Sequence, residues 1–336
     1  MTLVVSLYNI RSYKFFTFTL NKGPNLVWGP NGSGKTNLLE SISLFAQGQS
    51  MRGAKLEDIL TFEESCGAVS ATLTEGLIQN NVSINIGKSK VFTMNNSKIT
   101  AAELSKLFSI TWLTPFMIFN FWRDGRIRRN LIDRIASNII PLHGQYCAQF
   151  EKSRRLLNGL YFSQSTDLTA YRSIEKIMIE AGVSIIQNRN IVIQKLNQLM
   201  QEKNFDCQIK MDSGTELLVS ELWLDKLELL RQRHIPTNSI GPHRCDIILH
   251  LRGVESNNCS TGEQHMCLIN IIFASFDLFR QNTRILLLDD IISHLDQANN
   301  ALVFDLINNY PKDYILLSHH SDLPLAGNKL TLRLNF

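Results

Sequence analysis

The stretch Gly29-Pro-Asn-Gly-Ser-Gly-Lys35-Thr36 decides how this chain is read. Its spacing, GxxxxGK[ST], is the phosphate-binding loop pattern in full. A tight glycine-rich turn points successive backbone N–H groups at an anion. Gly29, Pro30, Asn31, Gly32, Ser33 and Gly34 form the cradle, Lys35 reaches the β- and γ-phosphates, and the Thr36 hydroxyl holds Mg²⁺. The flanks agree. The apolar run Asn25-Leu-Val-Trp28 predicts a strand entering the loop, and residues 36–46 predict a helix leaving it. The N-terminus of that helix then faces the phosphates. An ordinary glycine turn needs no such flanks, so the octet implies a nucleoside triphosphate site.

A second segment supplies what the loop lacks. Arg284-Ile-Leu-Leu-Leu-Asp289-Asp290 is an apolar run ending in two carboxylates. A buried strand of this kind delivers Asp289 beside Mg²⁺ through a coordinated water. Asp290 then stands where a carboxylate polarises the attacking water. Alone, the run reads equally as a core strand capped by Asp; with Lys35 in the chain, the metal reading prevails. Lys35 and Asp289 are far apart in sequence, so something large is inserted between the two halves of the site.

Ahead of the acids, Ser260-Thr-Gly-Glu-Gln264 opens the apolar helix of residues 265–279. Ser260 and Glu263 have capping-box spacing, which makes this a good helix start. A helix start with a free hydroxyl and a glycine also receives phosphate. The segment is similar to the signature motif of ABC-type ATPases. That resemblance implies that Ser260, Gly262 and Gln264 contact the γ-phosphate of ATP bound by a second copy, so two chains sandwich two nucleotides. Ser293-His-Leu-Asp296 resembles the D-loop of the same superfamily. Ser318-His319-His320 resembles its switch-histidine segment, with His319 the γ-phosphate contact and His320 the competing candidate.

The rest of the chain divides by texture. Leu3–Leu7, Phe16–Leu20, Val69–Leu73 and Val82–Ile86 predict strands, with Asn95-Asn96 as a turn. From about residue 115, apolar residues take helical spacing over 128–140, 149–161, 168–200 and 216–233. Strands return at 246–251, 284–288 and 314–317. The expected fold is α/β: an ABC/SMC-type P-loop ATPase head built from residues 1–114 and 236–336, with a mostly helical lobe of residues 115–235 inserted. The lobe is far too short for an SMC-length coiled coil.

Bulk properties narrow the setting. The chain has 336 residues, 44% hydrophobic and 19% charged, so it is globular. No apolar run of about 18 residues suggests a membrane span. The opening Met-Thr-Leu-Val-Val-Ser-Leu lacks a basic region and a cleavage site, so no signal peptide is expected. Six scattered cysteines without a CxxC pair fit free thiols in a reducing cytoplasm and give no zinc motif. The formal net charge is +4, and it is unevenly spread. Between Arg123 and Arg155, Arg123, Arg126, Arg128, Arg129, Arg134, Lys152, Arg154 and Arg155 face only Asp124, Asp133 and Glu151. Such a cluster can follow a phosphate backbone, or it can be a solvated helical face.

In order and spacing the motifs resemble the RecF family, bacterial DNA replication and repair ATPases of the ABC/SMC superfamily. Asn9-Ile-Arg11-Ser-Tyr13 resembles that family's opening, Asn37-Leu-Leu-Glu40 its loop helix, and Gly48-Gln-Ser-Met-Arg52 a GRxxR segment with Gln49 departing. Arg128-Arg129-Asn-Leu-Ile-Asp133 resembles RRxFLD, Gly241-Pro-His-Arg244 with Asp246 resembles GPHRxD, and Cys259–Gln264 resembles the signature. Phe116 and Met117 replace two acids after Pro115, and residues 120–125 depart from the family pattern, which touches the coupling of hydrolysis to DNA.

The resemblance implies a homodimer that ATP and Mg²⁺ close on duplex or gapped DNA at single-strand junctions. It also implies the partners RecO and RecR, loading of RecA, and a place in recombinational repair of DNA damage and the SOS response. It carries no membrane partner. Arg52, Arg128, Arg129, Arg154 and Arg155 are the DNA-binding candidates; ion pairing between head and lobe is the alternative for Arg128 and Arg129. Asp290 is shorter than the Glu common in relatives, so slow, DNA-stimulated ATP turnover is expected. An ATPase subunit of another complex, or a nucleotide-dependent structural module without useful turnover, are the competing classes.

Overall fold

The computed structural model describes residues 2–75, 78–212, 220–233, 235–237, 240–279, 283–325 and 327–333. The chain packs as two compact units: residues 1–119 with 268–336, and residues 120–267.

The first unit begins with β1 (Thr2–Ile10), β2 (Tyr13–Asn21), β3 (Gly23–Trp28), α1 (Lys35–Ser43), α2 (Leu56–Ile59), β4 (Gly67–Glu75), β5 (Ile78–Ile86), β6 (Lys90–Met94), β7 (Ser97–Ile99), α3 (Ala101–Leu107), β8 (Phe108–Leu113) and α4 (Pro115–Asn120). The second carries α5 (Gly125–Ile139), α6 (His143–Phe162), α7 (Leu168–Glu202), β9 (Cys207–Asp212), α8 (Ser220–Gln232), β10 (Asp246–Leu251) and β11 (Val254–Glu255). Helix α9 (Thr261–Asp277) contains the boundary between units, and β12 (Thr283–Asp289), α10 (Gln297–Asn308), β13 (Tyr314–His319) and β14 (Asn328–Thr331) complete the first unit.

Two sheets build the first unit. A five-stranded parallel sheet has the order β14-β3-β13-β12-β8. Its central strands read as continuous buried runs. Ile285, Leu286, Leu287 and Leu288 are each fully buried, as are Ile315 and Leu316 beside them. Burial on both faces is what a parallel strand covered by helices requires. The antiparallel sheet β2-β1-β4-β5-β6-β7 alternates instead. Leu3, Val5 and Leu7 point inward while Thr2, Val4 and Ser6 do not, the two-residue period of a half-buried strand. Asn95 and Asn96 turn the chain between β6 and β7 with φ of 49° and 68°, a backbone that asparagine tolerates.

The strand expectations at 3–7, 16–20, 69–73, 82–86, 246–251, 284–288 and 314–317 all fall within strands. Strand β8 went unread. Its Ser109 and Thr111 are fully buried between β12 and the core, and two hydroxyl residues broke the apolar run that would have marked it.

The second unit is mainly helical. Helices α6 and α7 form a hairpin, and Asp167 caps α7 by accepting from the Thr169 and Ala170 N–H groups. Along α7, Met178, Ile185, Ile186, Val192, Leu196 and Met200 bury one stripe. Of these, Met178, Ile185 and Ile186 join Phe150, Leu157, Trp223 and Leu227 in one core cluster of the unit. The helical spacing read at 128–140, 149–161 and 168–200 corresponds to α5, α6 and α7. For 216–233, residues 216–219 lie outside the described residues and α8 covers the rest. The unread element is β9, which pairs with β10 and β11 in a small antiparallel sheet. Cys-Gln-Ile-Lys-Met-Asp buries only Ile209 fully, too little apolar signal to announce a strand. Among the described residues, no helix is long and apolar enough to cross a membrane.

Candidate nucleotide site and basic segments

In the first unit the loop leaves the C-terminal end of β3, in the middle of the parallel sheet. Open parallel sheets bind ligands at that edge. Gly34 caps α1 with a left-handed φ of 95°. A Cβ there would also stand 2.6 Å from the Tyr13 hydroxyl, which donates to the Gly34 carbonyl at 3.2 Å. At Gly29 a Cβ would collide with the Leu332 carbonyl. Sterics therefore require glycine at both ends of the turn.

Lys35 Nζ donates to the Gly29 carbonyl at 2.7 Å and the Pro30 carbonyl at 2.9 Å. Burial holds its pKa below the usual lysine value, against the attraction of Asp290 and Asp289. The Ser33 hydroxyl is buried and, among the described residues, has no hydrogen-bond partner. An orphaned hydroxyl beside a folded-back ammonium is a cradle with donors to spare, and a phosphate is the group that fits it.

The metal candidates also meet. Thr36 Oγ1 donates to Asp289 Oδ1 at 3.0 Å, and Ser318 Oγ donates to the same oxygen at 2.7 Å. Strand register explains the second contact, since Asp289 pairs with Ser318 across β12 and β13. Asp289 is 5% exposed. Burial raises its carboxyl pKa, although the Ser318 and Thr36 hydrogen bonds work in the other direction. A desolvated carboxylate hydrogen-bonded by two hydroxyls, with the Arg52 charge only a lesser influence, suits a hard divalent cation.

Asp290 follows in a left-handed backbone, φ 47°. Its N–H donates to Ser318 Oγ at 3.0 Å, and Ser293 Oγ donates to its Oδ1 at 2.6 Å. Ser318 thus links both acids. Serine at a strand end is unremarkable in sequence, and only the pairing of β12 with β13 reveals this role. The His294 side chain lies outside the described residues.

His319 ends β13 and is 5% exposed. Burial lowers its pKa below 6.5, with His320 adding to that and Asp290 opposing it. The ring is therefore neutral at pH 7. The Ser321 N–H donates to Nδ1 at 3.2 Å, which leaves Nε2 carrying the proton in that tautomer. A neutral Nε2–H is a donor suited to a phosphate oxygen. His320 is exposed.

Arg11 was quoted only as part of a motif, yet it pairs with Glu40 on α1 through Nε–Oε2 at 2.9 Å and Nη2–Oε1 at 3.1 Å. Glu40 is 1% exposed and also accepts from Ser50 at 3.2 Å and faces Arg52 at 3.5 Å. One buried carboxylate so ties the opening strands and the Gly48–Arg52 segment to the loop helix. Arg52 further donates to Asn37 Oδ1 at 2.9 Å, and its side chain is 42% exposed.

The remaining site candidates lie in the second unit. Ser260 and Glu263 make a reciprocal cap: Ser260 N–H donates to Glu263 Oε2 at 3.0 Å, and Glu263 N–H donates to Ser260 Oγ at 3.4 Å. Ser260 is exposed and Gly262 half-buried. Gln264 Nε2 donates to the Ser256 carbonyl at 2.8 Å, which fixes the side chain at the helix start.

The arginines differ sharply. Arg128 is 12% exposed. Its guanidinium grips both oxygens of Asp246, at 2.9 and 2.8 Å, and donates to the Phe121 carbonyl at 2.7 Å. Arg129 donates to the Cys245 carbonyl at 2.8 Å, and burial lowers its pKa. Arg128 is thus ion-paired within this unit, and Arg129 is held by a backbone carbonyl of the same unit. Arg154 pairs with Glu151 at 2.7 Å on α6. Arg155 is 72% exposed, donates to the Glu151 carbonyl at 3.3 Å and reaches the Glu151 carboxylate only at 3.9 Å.

Asp133, the last residue of the motif that begins at Arg128, closes a network the sequence did not reveal. Arg189 holds both its oxygens at 2.7 Å and donates to the Pro242 carbonyl at 2.6 Å. His143 Nε2 stands 3.1 Å from Asp133 Oδ1.

Comparison with known proteins gives the family and the fold. Residues 3–331 match the family model described as RecF/RecN/SMC N terminal domain. The protein called DNA replication and repair protein RecF in Rickettsia akari (strain Hartford) is 31% identical over 322 residues, covering 90% of this chain and 89% of its own. Its namesake in Rickettsia canadensis (strain McKiel) is 33% identical, covering 86% of each chain. Among solved structures, the recombination mediator protein RecF-ATP of the RecFOR pathway superposes with a TM-score of 0.82 at 21% identity, over 98% of this chain and 96% of that one. An SmcHead bound to the C-winged helix domain of ScpA gives 0.55 at 16% identity, over 95% and 89%. The fold is that of an ABC/SMC-type ATPase head.

Proposed function

The chain belongs to the RecF family, within the RecF/RecN/SMC N-terminal domain group, and from that premise we propose that it is an ATP-binding protein of DNA replication and repair that works as a nucleotide-gated dimeric clamp. The observation that carries the reading is the hydrogen-bonded row Thr36–Asp289–Ser318–Asp290 standing beside Lys35 and the orphaned Ser33 hydroxyl.

In this reading Lys35 leaves the Gly29 and Pro30 carbonyls for the β- and γ-phosphates. Thr36 and Asp289 hold Mg²⁺, which supplies charge neutralisation at the phosphates. Asp290 orients the attacking water, and the His319 Nε2–H donates to the γ-phosphate. Ser260, Gly262 and Gln264 act on nucleotide held by a second copy. The γ-phosphate is then a group that two subunits share, so its loss opens the dimer. The functional head is taken as residues 1–114 with 236–336, the segments that contain every one of these motifs, and 115–235 as the inserted lobe.

For DNA, Arg155, Arg154 and Arg52 keep guanidinium surface in solvent, and exposed cations are what phosphate contacts need. Arg128 and Arg129 enter as scaffold for that surface, because their donors are taken by Asp246, Phe121 and Cys245. Duplex or gapped DNA as the ligand, RecO and RecR as partners, RecA loading, the SOS response and a cytoplasmic setting follow from the family.

The test is binding of wild type and Lys35→Met to gapped, duplex and single-stranded DNA, with and without ATP-Mg²⁺, alongside light scattering for mass. ATP-dependent dimers that bind gapped or duplex DNA, absent in Lys35→Met, are expected. A chain that binds ATP yet stays monomeric and ignores DNA would overturn the clamp and favour an ATPase subunit of another complex.

A further inference from the structure

We propose that Asp290, His319 and His320 form a second metal site, separate from the Mg²⁺ position, that takes a borderline transition ion of the zinc class. One ligand atom from each of the three side chains lies within 4.8 Å of the others. The parallel pairing of β12 and β13 brings them together, because Asp290 follows the end of one strand and His319 ends the other. The two imidazole rings stand with centroids 4.1 Å apart.

Ligand chemistry separates this site from the neighbouring one. Thr36 and Asp289 offer oxygen alone, which suits Mg²⁺. Two imidazoles and a carboxylate suit Zn²⁺, Ni²⁺ or Fe²⁺, and leave further positions for water. Bonds of about 2.0–2.2 Å to one ion would draw the three ligand atoms slightly closer. His320 is exposed and free to make that adjustment.

The surroundings of His319 serve both of its tautomers. Its Nδ1 lies 3.1 Å from the Ser321 carbonyl and 3.2 Å from the Ser321 N–H. With the N–H donating to Nδ1, Nε2 carries the proton. With Nδ1–H donating to the carbonyl, Nε2 is bare and ready to ligate. A carbonyl partner on the far nitrogen is the usual support for a metal-bound histidine. On charge, Lys35 opposes a cation here, while Asp289 and Asp290 favour one.

Such an ion would occupy the Asp290 carboxylate. On the reading of Asp290 given above, it would arrest ATP turnover without touching the phosphate loop.

The probe is Zn²⁺ itself, titrated into the nucleotide-free full chain by chelator competition, with Co²⁺ absorption as a reporter of ligand type. One ion per chain is expected, with affinity falling at least tenfold in both His320→Ala and Asp290→Asn and unchanged in Cys259→Ser and Cys147→Ser. Co²⁺ should show d–d bands without sulfur charge transfer. Equal affinity in wild type and His320→Ala, or loss of binding in either cysteine variant, overturns the site. His320 is exposed, so its variant tests ligation without threatening the fold. Inhibition by Zn²⁺ is then read against each protein's own metal-free rate. Binding without inhibition would leave the metal site standing and remove Asp290 from the hydrolytic role.

Discussion

Asp289 is buried and Asp133 half-buried, and the two units treat these motif aspartates in opposite ways. In the first unit, burial raises the Asp289 carboxyl pKa, and the two hydroxyl hydrogen bonds and the Arg52 charge do not overcome it. In the second, burial would raise Asp133 as well, but the Arg189 guanidinium and the His143 ring overcome it and hold the carboxyl at about 2. One site is left short of positive charge and the other is closed on itself. The same contrast separates Lys35, hydrogen-bonded to loop carbonyls with Asp289 and Asp290 acting on it only through space, from Arg128, locked on Asp246. A motif charge that its own fold leaves uncompensated points to a ligand, and one that the fold neutralises points to scaffold.

The sharpest way to break this contrast is to remove each charge. Asp133→Asn strips the counter-charge from Arg189, whose side chain is 5% exposed. Breaking a buried pair from one side costs about 3–5 kcal/mol, so the variant should lose that much in urea unfolding. ATP binding by the folded protein should be unchanged. A loss under about 1 kcal/mol, within the range of exposed pairs, would mean that Asp133 is not scaffold. Asp289→Asn should do the reverse. It removes a carboxylate that burial disfavours, so stability should not fall. Single-turnover ATP hydrolysis should drop about 10²–10³-fold, as when one preorganised electrostatic contact to the reacting group is lost. An Asp289→Asn protein that unfolds easily but hydrolyses normally would invert the assignment.

The two halves were also unequally legible in the sequence. Phosphate chemistry demands consecutive residues, so Gly29–Thr36 could be read directly, and a buried strand ending in Asp289 could be joined to it. Scaffold contacts place no demand on neighbours in sequence. Arg128 meets Asp246 at a separation of 118 residues, and Arg189 meets Asp133 at 56. Arg128 therefore looked like a member of a basic run, and Arg189 drew no notice. Ser318 was passed over for a related reason: its importance comes from its register opposite Asp289, and register is a property of the sheet. The long helices of the second unit were readable from their apolar period, whereas β9 and β8 are defined by partners more than by composition.

Acid sharpens the comparison with a smaller effect. Asp133 ionises near 3.9 when unfolded and at about 2 when folded. The folded state binds fewer protons, so this group adds stability above pH about 4 and loses it as pH falls towards 2. The amount is about 2–3 kcal/mol at 1.36 kcal/mol per unit. Asp289 has the opposite sign. Its folded pKa is raised, so its contribution weakens as pH rises from the ordinary carboxylate range through the raised value. Unfolding midpoints measured from pH 2 to 6 should show the acid limb flattened in Asp133→Asn. In Asp289→Asn the acid limb should steepen, because an opposing slope has been removed. Identical profiles in the two variants would erase the distinction.

The smallest effect divides the arginines. Arg155 is 72% exposed and Arg128 12%. If Arg155 contacts a DNA phosphate, Arg155→Ala should reduce the slope of log affinity against log salt by about one. Its stability should stay within about 0.5 kcal/mol of wild type, as for most surface changes. Arg128→Ala should leave the slope of the folded protein unaltered and lower stability, because Asp246 and the Phe121 carbonyl both lose their donor. The salt titration is decisive because it counts released counterions, which a scaffold arginine does not displace. A slope that changes in Arg128→Ala and not in Arg155→Ala would place the DNA contact on the charge the fold has already neutralised, and the rule drawn from Asp289 and Asp133 would then fail for arginine.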